Sequence, residues 1–190
     1  RHETRNTWQA RHHSRRDTEN VQGKTDNAYS HFGPHSSPQM DMFIGYGSYE
    51  IDGYTYTGRY DTDATAHYNG TENSCVNCHM APAEGMNHTP HEFHASGPEW
   101  TGCLDCHSAS GADGLYNGLR TEIEGKLGQI ATLLGYADLA AFEAAIDDDN
   151  PTWTVAQREA AYAAVFVLSD GSWGTHNPDY ALDLLDNAID

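Results

Sequence analysis

Leu119, Ile123, Leu127, Ile130 and Leu134 recur at steps of four, four, three and four residues, so their side chains share one face of a helix. Gly125 and Gly128 interrupt that stretch, each at about 1 kcal/mol in a helix interior; either a neighbour approaches closely there or the fold tolerates them. A short second helix is predicted at Asp138–Ile146. A third opens at Asn150-Pro151 and carries Trp153, Tyr162, Val165, Phe166 and Leu168, and a fourth opens at Asn177-Pro178 with Ala181, Leu184, Leu185 and Ala188 on one side. In both, Asn reads as the N-cap and Pro as the first helical residue. Upstream the periodicity changes. Ser48–Ile51 and Tyr54–Thr57 flank Asp52-Gly53, a favoured two-residue turn, so residues 43–60 are predicted to hold a small β-hairpin. An isolated hairpin is marginal and needs another element beside it. Residues 61–114 read as loop-rich, with at most a turn of helix around each of two cysteine clusters.

Composition sharpens this division. Ile, Leu, Val and Phe together number 27 of 190, with only eight up to residue 114 and nineteen from 115 onward. Below roughly 20% of such residues, with high net charge, a chain defaults to disorder, so an ordered N-terminal part needs a core of another kind. The formal charge is −18, which excludes nucleic acid as the main partner because binding phosphate requires positive charge. No run of about 18 apolar residues is present, hence no membrane span. Residues 1–30 form a polar arm with six basic and four acidic side chains, a charge of +2, which leaves −20 on residues 31–190. The opposed charges suit an arm laid against the acidic surface of a second copy, or against its own body. A chain opening on Arg1 fits removal of a secretory leader.

The four cysteines fall in two identical spacings, Cys75-Val-Asn-Cys78-His79 and Cys103-Leu-Asp-Cys106-His107. Cys-x-x-Cys-His attaches c-type haem: two thiols form thioethers to the porphyrin vinyl groups, and the following imidazole is the proximal ligand of the iron. A four-thiolate zinc site or two disulfides would use the cysteines, but neither requires a His after each second Cys. Two covalently attached haems c would also supply the missing core, at ~25 cal/mol per Å² of apolar area buried.

The sixth ligand decides between electron transfer and catalysis. His31, His35, His67, His88, His91 and His94 crowd around the attachment motifs. Met80 adjoins the proximal His79 and cannot easily reach the opposite haem face; Met40, Met42 and Met86 rank below the histidines. His88 lies on a short tether between the two motifs, His176 is held just before the helix at Pro178, and His35 lies in His31-Phe-Gly-Pro-His35-Ser-Ser-Pro-Gln39. These three are the distal candidates. The positive end of the following helix should keep His176 neutral and metal-binding.

The string Cys75-Val-Asn-Cys78-His79-Met80, with Asn87-His88-Thr89 and Cys103-Leu-Asp-Cys106-His107, resembles bacterial multihaem c-type cytochromes, a group that includes relatives of the pentahaem nitrite reductases. His35…Pro38-Gln39-Met40-Asp41-Met42…Gly45 and Asp170-Gly-Ser-Trp-Gly-Thr-His176-Asn-Pro178-Asp-Tyr180 look like the same group, so the resemblance covers roughly residues 30–190. It implies bis-His haems, a secreted location, extracellular or periplasmic, and electron transfer, with His176 as a haem ligand. This chain departs from the group in carrying two haems, and no Cys-x-x-Cys-Lys motif matches the catalytic haem of the reductases.

The expectation is therefore a multihaem cytochrome c fold with a loop-rich, haem-wrapped part at 31–114 and a helical part at 115–190, preceded by an assembly arm at 1–30. Its expected partners are copies of itself in an electron-conducting extracellular filament, and other redox proteins or extracellular acceptors. His12 or His13 of one chain is placed to cap a haem of the next. A diffusing periplasmic shuttle is the alternative. A nitrite, hydroxylamine or peroxide reductase ranks last, since it needs an open sixth position.

Overall fold

A computed structural model describes residues 21, 32–34, 37–71, 74–80, 101–146 and 152–190. Its helices are α1 (Gln39–Ile44), α2 (Ala66–Gly70), α3 (Cys75–His79), α4 (Thr101–Leu104), α5 (Ala109–Leu133), α6 (Leu139–Ile146), α7 (Val155–Asp170) and α8 (Pro178–Ile189). No helix among the described residues is long and apolar enough to cross a membrane.

The core lies between α5, α7 and α8, with α6 against α5. Ile123, Leu127 and Ile130 on α5 face Tyr162, Val165 and Phe166 on α7 and Tyr180, Leu184 and Leu185 on α8, all buried in one cluster. The predicted apolar stripe of α5 is thus its core face. Gly125 and Gly128 lie off that face with open space where a Cβ would project, so they are tolerated rather than required. α8 begins where Asn177-Pro178 predicts: the buried Asn177 side chain accepts a hydrogen bond from the Tyr180 N–H at 3.1 Å. α7 begins later than Asn150-Pro151 predicts. A capping box between Thr154 and Gln157, each side chain accepting from the other's backbone N–H, satisfies two donors at the N-terminus and sets its start at Val155.

α5 opens at Ala109, ten residues before the first member of its stripe. Ser108 caps it by accepting from the Gly111 N–H at 3.1 Å. Its first turns are mostly exposed and so carry no periodic signal. The compositional division at 114/115 falls inside this helix.

The predicted hairpin is a correction. No strand occurs among the described residues. Asp52-Gly53 does turn, with the Tyr54 N–H donating to the Ile51 carbonyl at 3.4 Å, but the flanking backbone bonds to side chains instead of to itself. The Ile51 N–H donates to the Tyr56 hydroxyl at 2.8 Å, the Thr57 N–H to Asp183 at 2.7 Å, and the Asn187 amide to the Thr55 carbonyl at 3.3 Å. Asp183 and Asn187 belong to α8, and with these groups engaged the ladder has no partner. The segment is a loop bound along α8.

Val21, from the stretch read as an arm, is fully buried in this same core, and its carbonyl accepts from Arg158 at 3.1 Å. The rest of residues 1–30 lies outside the described residues.

Candidate functional site

Each Cys-x-x-Cys-His motif sits on a helical turn. α3 holds Cys75 to His79, and the Met80 N–H closes it on the Val76 carbonyl at 3.0 Å. Cys103 lies in α4, and the His107 N–H donates to its carbonyl at 2.8 Å. In such a turn residues three and four apart share a face, so both thiols and the imidazole are presented together.

The two turns touch backbone to backbone. A Cβ on Gly102 would lie 2.7 Å from Cys78 Cα and 2.9 Å from the Asn77 carbonyl oxygen. Only glycine admits that approach, and it puts the two attachment motifs side by side. The four cysteines are unbridged. Burial, reinforced by the neighbouring Cys103, Cys75 and Cys106, pushes the Cys78 thiol up to about 11; burial also raises Cys75 and Cys103. No group of three or more His, Cys, Asp or Glu among the described residues converges into a metal site.

The imidazoles are arranged in two pairs. His79 and His176 have ring centroids 6.0 Å apart at an interplanar angle of 56°, and His107 and His67 have theirs 6.4 Å apart at 84°. A metal bonded at about 2 Å to one nitrogen of each of two imidazoles on opposite sides holds their centroids about 6 Å apart. Each pair therefore has the spacing that a metal shared between two imidazoles would impose, and each lies beside an attachment turn.

The non-motif member of each pair is held through Nδ1. His176 Nδ1 lies 2.6 Å from Asp170 Oδ1, and His67 Nδ1 lies 2.8 Å from the Thr175 carbonyl oxygen. An acceptor at Nδ1 fixes the proton there and leaves Nε2 as the lone-pair donor, the arrangement typical of metal-bound histidine. Burial pulls the His176 pKa down, but Asp170 more than reverses this, and the net direction is up. Asp170 is the group that outweighs burial at this imidazole.

Asp170 closes α7, and Thr175 lies in the loop that follows it, residues 171–177, which joins α7 to α8. Three of its residues have positive φ: Gly171 at 71°, Trp173 at 52° and Gly174 at 81°. A Cβ on Gly174 would meet Leu119, Ile123 and Ala181 at 3.3–3.5 Å, so the loop is seated on the α5–α8 core. Ser172 ties it together: its hydroxyl donates to Asp170 and accepts from the His176 N–H at 3.1 Å. Thr175 Oγ1 is buried with no hydrogen-bond partner among the described residues.

The structure brings together Cys75, Cys78 and His79 with His176, and Cys103, Cys106 and His107 with His67. His88 and His35 lie outside the described residues. His67 was not among the three distal candidates. Its local signal is slight: it sits on the five-residue α2, whose N-cap Thr65 accepts from the Tyr68 N–H at 3.3 Å. Asp170 and the Thr175 carbonyl were likewise not singled out, although both fall in the segment quoted for the resemblance.

No protein-family model and no curated protein matches the chain. A solved structure does: an outer cell wall cytochrome, OcwA, superposes with a TM-score of 0.53 at 23% identity, over 80% of this chain and 29% of that one. The chain shares its fold with part of that cytochrome. It spans under a third of the cytochrome's length.

Proposed function

We propose that this chain is a two-haem electron-transfer protein acting outside the cytoplasm, with His79 and His176 as axial ligands of one haem and His107 and His67 of the other. The observation that carries this reading is the two imidazole pairs, spaced for one iron each and each beginning at a Cys-x-x-Cys-His turn. Cys75 with Cys78, and Cys103 with Cys106, hold the thioether links. When bound, each haem supplies a one-electron couple between ferric and ferrous iron. The chain's own part is to seal both axial positions with imidazole, which leaves no place for a substrate at the metal and favours a carrier over a reductase. Gly102 lets the two attachment turns meet, so the two centres lie close enough to exchange electrons. The shared fold with an outer cell wall cytochrome supports both the chemistry and the location.

Two haems per chain are expected from the pyridine haemochrome spectrum and from intact mass, with a ferric spectrum that is low-spin throughout. A single haem, a high-spin ferric signal, or turnover of nitrite or hydroxylamine by the isolated protein would contradict this reading.

Its second part is assembly. Copies associate through the basic arm of one chain and the acidic body of the next, building an extracellular electron-conducting filament that delivers to other redox proteins or external acceptors. The support is the charge division, +2 on residues 1–30 against −20 on the remainder. Two observations narrow it: the hairpin edge that would have offered a joint is a loop bound to α8, and Val21 docks on its own chain, so the assembling part of the arm lies before it. Size-exclusion chromatography and negative-stain microscopy test this part, with deletion of residues 1–20 expected to abolish polymer while both haems stay attached. A stable monomer at micromolar concentration would instead mark a diffusing periplasmic shuttle.

A further inference from the structure

The two distal imidazoles differ in what holds them. His176 Nδ1 meets a carboxylate, Asp170 Oδ1 at 2.6 Å, whose side chain is fully buried. His67 Nδ1 meets a neutral amide, the Thr175 carbonyl at 2.8 Å. One acceptor, Asp170, ends α7 and the other lies on the loop that carries His176, where the Thr175–His176 peptide serves both sides: its oxygen accepts from His67, and its N–H donates to Ser172 Oγ at 3.1 Å. Ser172 in turn donates its hydroxyl proton to Asp170, and its N–H approaches Asp170 Oδ2 at 3.3 Å. The carboxylate is thus fixed by the loop and aimed at one ring only.

We infer that Asp170 is a positioning residue that makes the two haem positions unequal, giving the one between His79 and His176 the lower reduction potential. This rests on the bis-His reading given above. A carboxylate on Nδ1 makes the imidazole a more basic ligand than an amide carbonyl does, and its negative charge, held out of water, favours ferric over ferrous iron. Ligand type is the same at both positions on this reading, and the outer hydrogen bond to the distal ring is a difference the chain builds in. An electron entering the pair settles on the haem between His107 and His67, which gives transfer through the chain a direction.

Spectroelectrochemical titration of the holoprotein, with dithionite as reductant and ferricyanide as oxidant, tests this. The wild type should show two one-electron waves. Asp170→Asn keeps an acceptor and removes the charge; it should raise the lower wave by at least a tenfold change in the oxidised-to-reduced ratio, 59 mV for one electron, and move the upper wave less. Ser172→Ala frees the carboxylate from its loop and should shift the lower wave in the same direction by a smaller amount, so the test survives if Asp170→Asn fails to fold. Unchanged waves in the variant that folds, or a shift confined to the upper wave, would overturn the inference while the ferric spectrum stays low-spin with two haems. A high-spin signal or a single haem in the wild type would instead sink the bis-His reading beneath it.

Discussion

From Ala109 to Ile189 the chain folds on aliphatic and aromatic side chains, with Ile123, Leu127, Phe142, Phe166 and Leu185 fully buried. Around the attachment turns the opposite holds. No residue from Cys75 to His79 or from Gly102 to His107 is more than partly buried, and the two aliphatic residues inside the motifs, Val76 and Leu104, are 43% and 45% exposed. One region carries its own hydrophobic core. The other is organised by a glycine contact, polar caps and imidazoles anchored to a loop of the first, and on the proposed reading its core is two porphyrins.

The largest effect expected from this contrast follows removal of one attachment. Cys75→Ala with Cys78→Ala should leave one haem per chain and abolish amide protection across residues 66–80 and 101–107, while α5, α7 and α8 keep theirs in hydrogen-exchange mass spectrometry. Protection retained in both regions would break the comparison. The reverse perturbation is Phe142→Ala, which hollows the aromatic contact of Phe142 with Tyr136 and Trp153. It should cost about 3–5 kcal/mol in denaturant unfolding with both haems still attached.

Asn177 joins the two regions. It caps α8, and its amide donates to the Gly58 carbonyl at 2.8 Å, beside the loop that wraps that helix. Asn177→Ala should lower stability by about 2 kcal/mol, the cap and a buried acceptor together. Smallest is Gly125→Ala. With open space for a Cβ in mid-helix, it should stabilise by about 0.5–1 kcal/mol, raising the melting temperature without altering the haem spectrum.

The two regions also differed in how far the sequence disclosed them. α8 was legible to the residue because its cap is local: Asn177 and Pro178 carry the signal themselves. The core face of α5 was legible because burial on one face imposes the helical period. Its first turns were not, since exposed residues have no period to display. The hairpin failed for a non-local reason, as Asp183 and Asn187, more than 120 residues further on, take the backbone groups a second strand would have used. The cysteines and the two motif histidines were plain from spacing. The pairing of His67 with His107 was not, because the group that orients His67 is a backbone carbonyl 108 residues away, and no side chain announces it.

The central claim is that His176 and His67 each complete one iron centre. Low-temperature electron paramagnetic resonance of ferric His67→Ala beside the wild type tests it most directly. The account predicts two low-spin haems in the wild type, and in the variant one of them converted to high spin with the other unchanged. Two low-spin haems persisting in His67→Ala would show that another residue binds opposite His107, and would contradict the account.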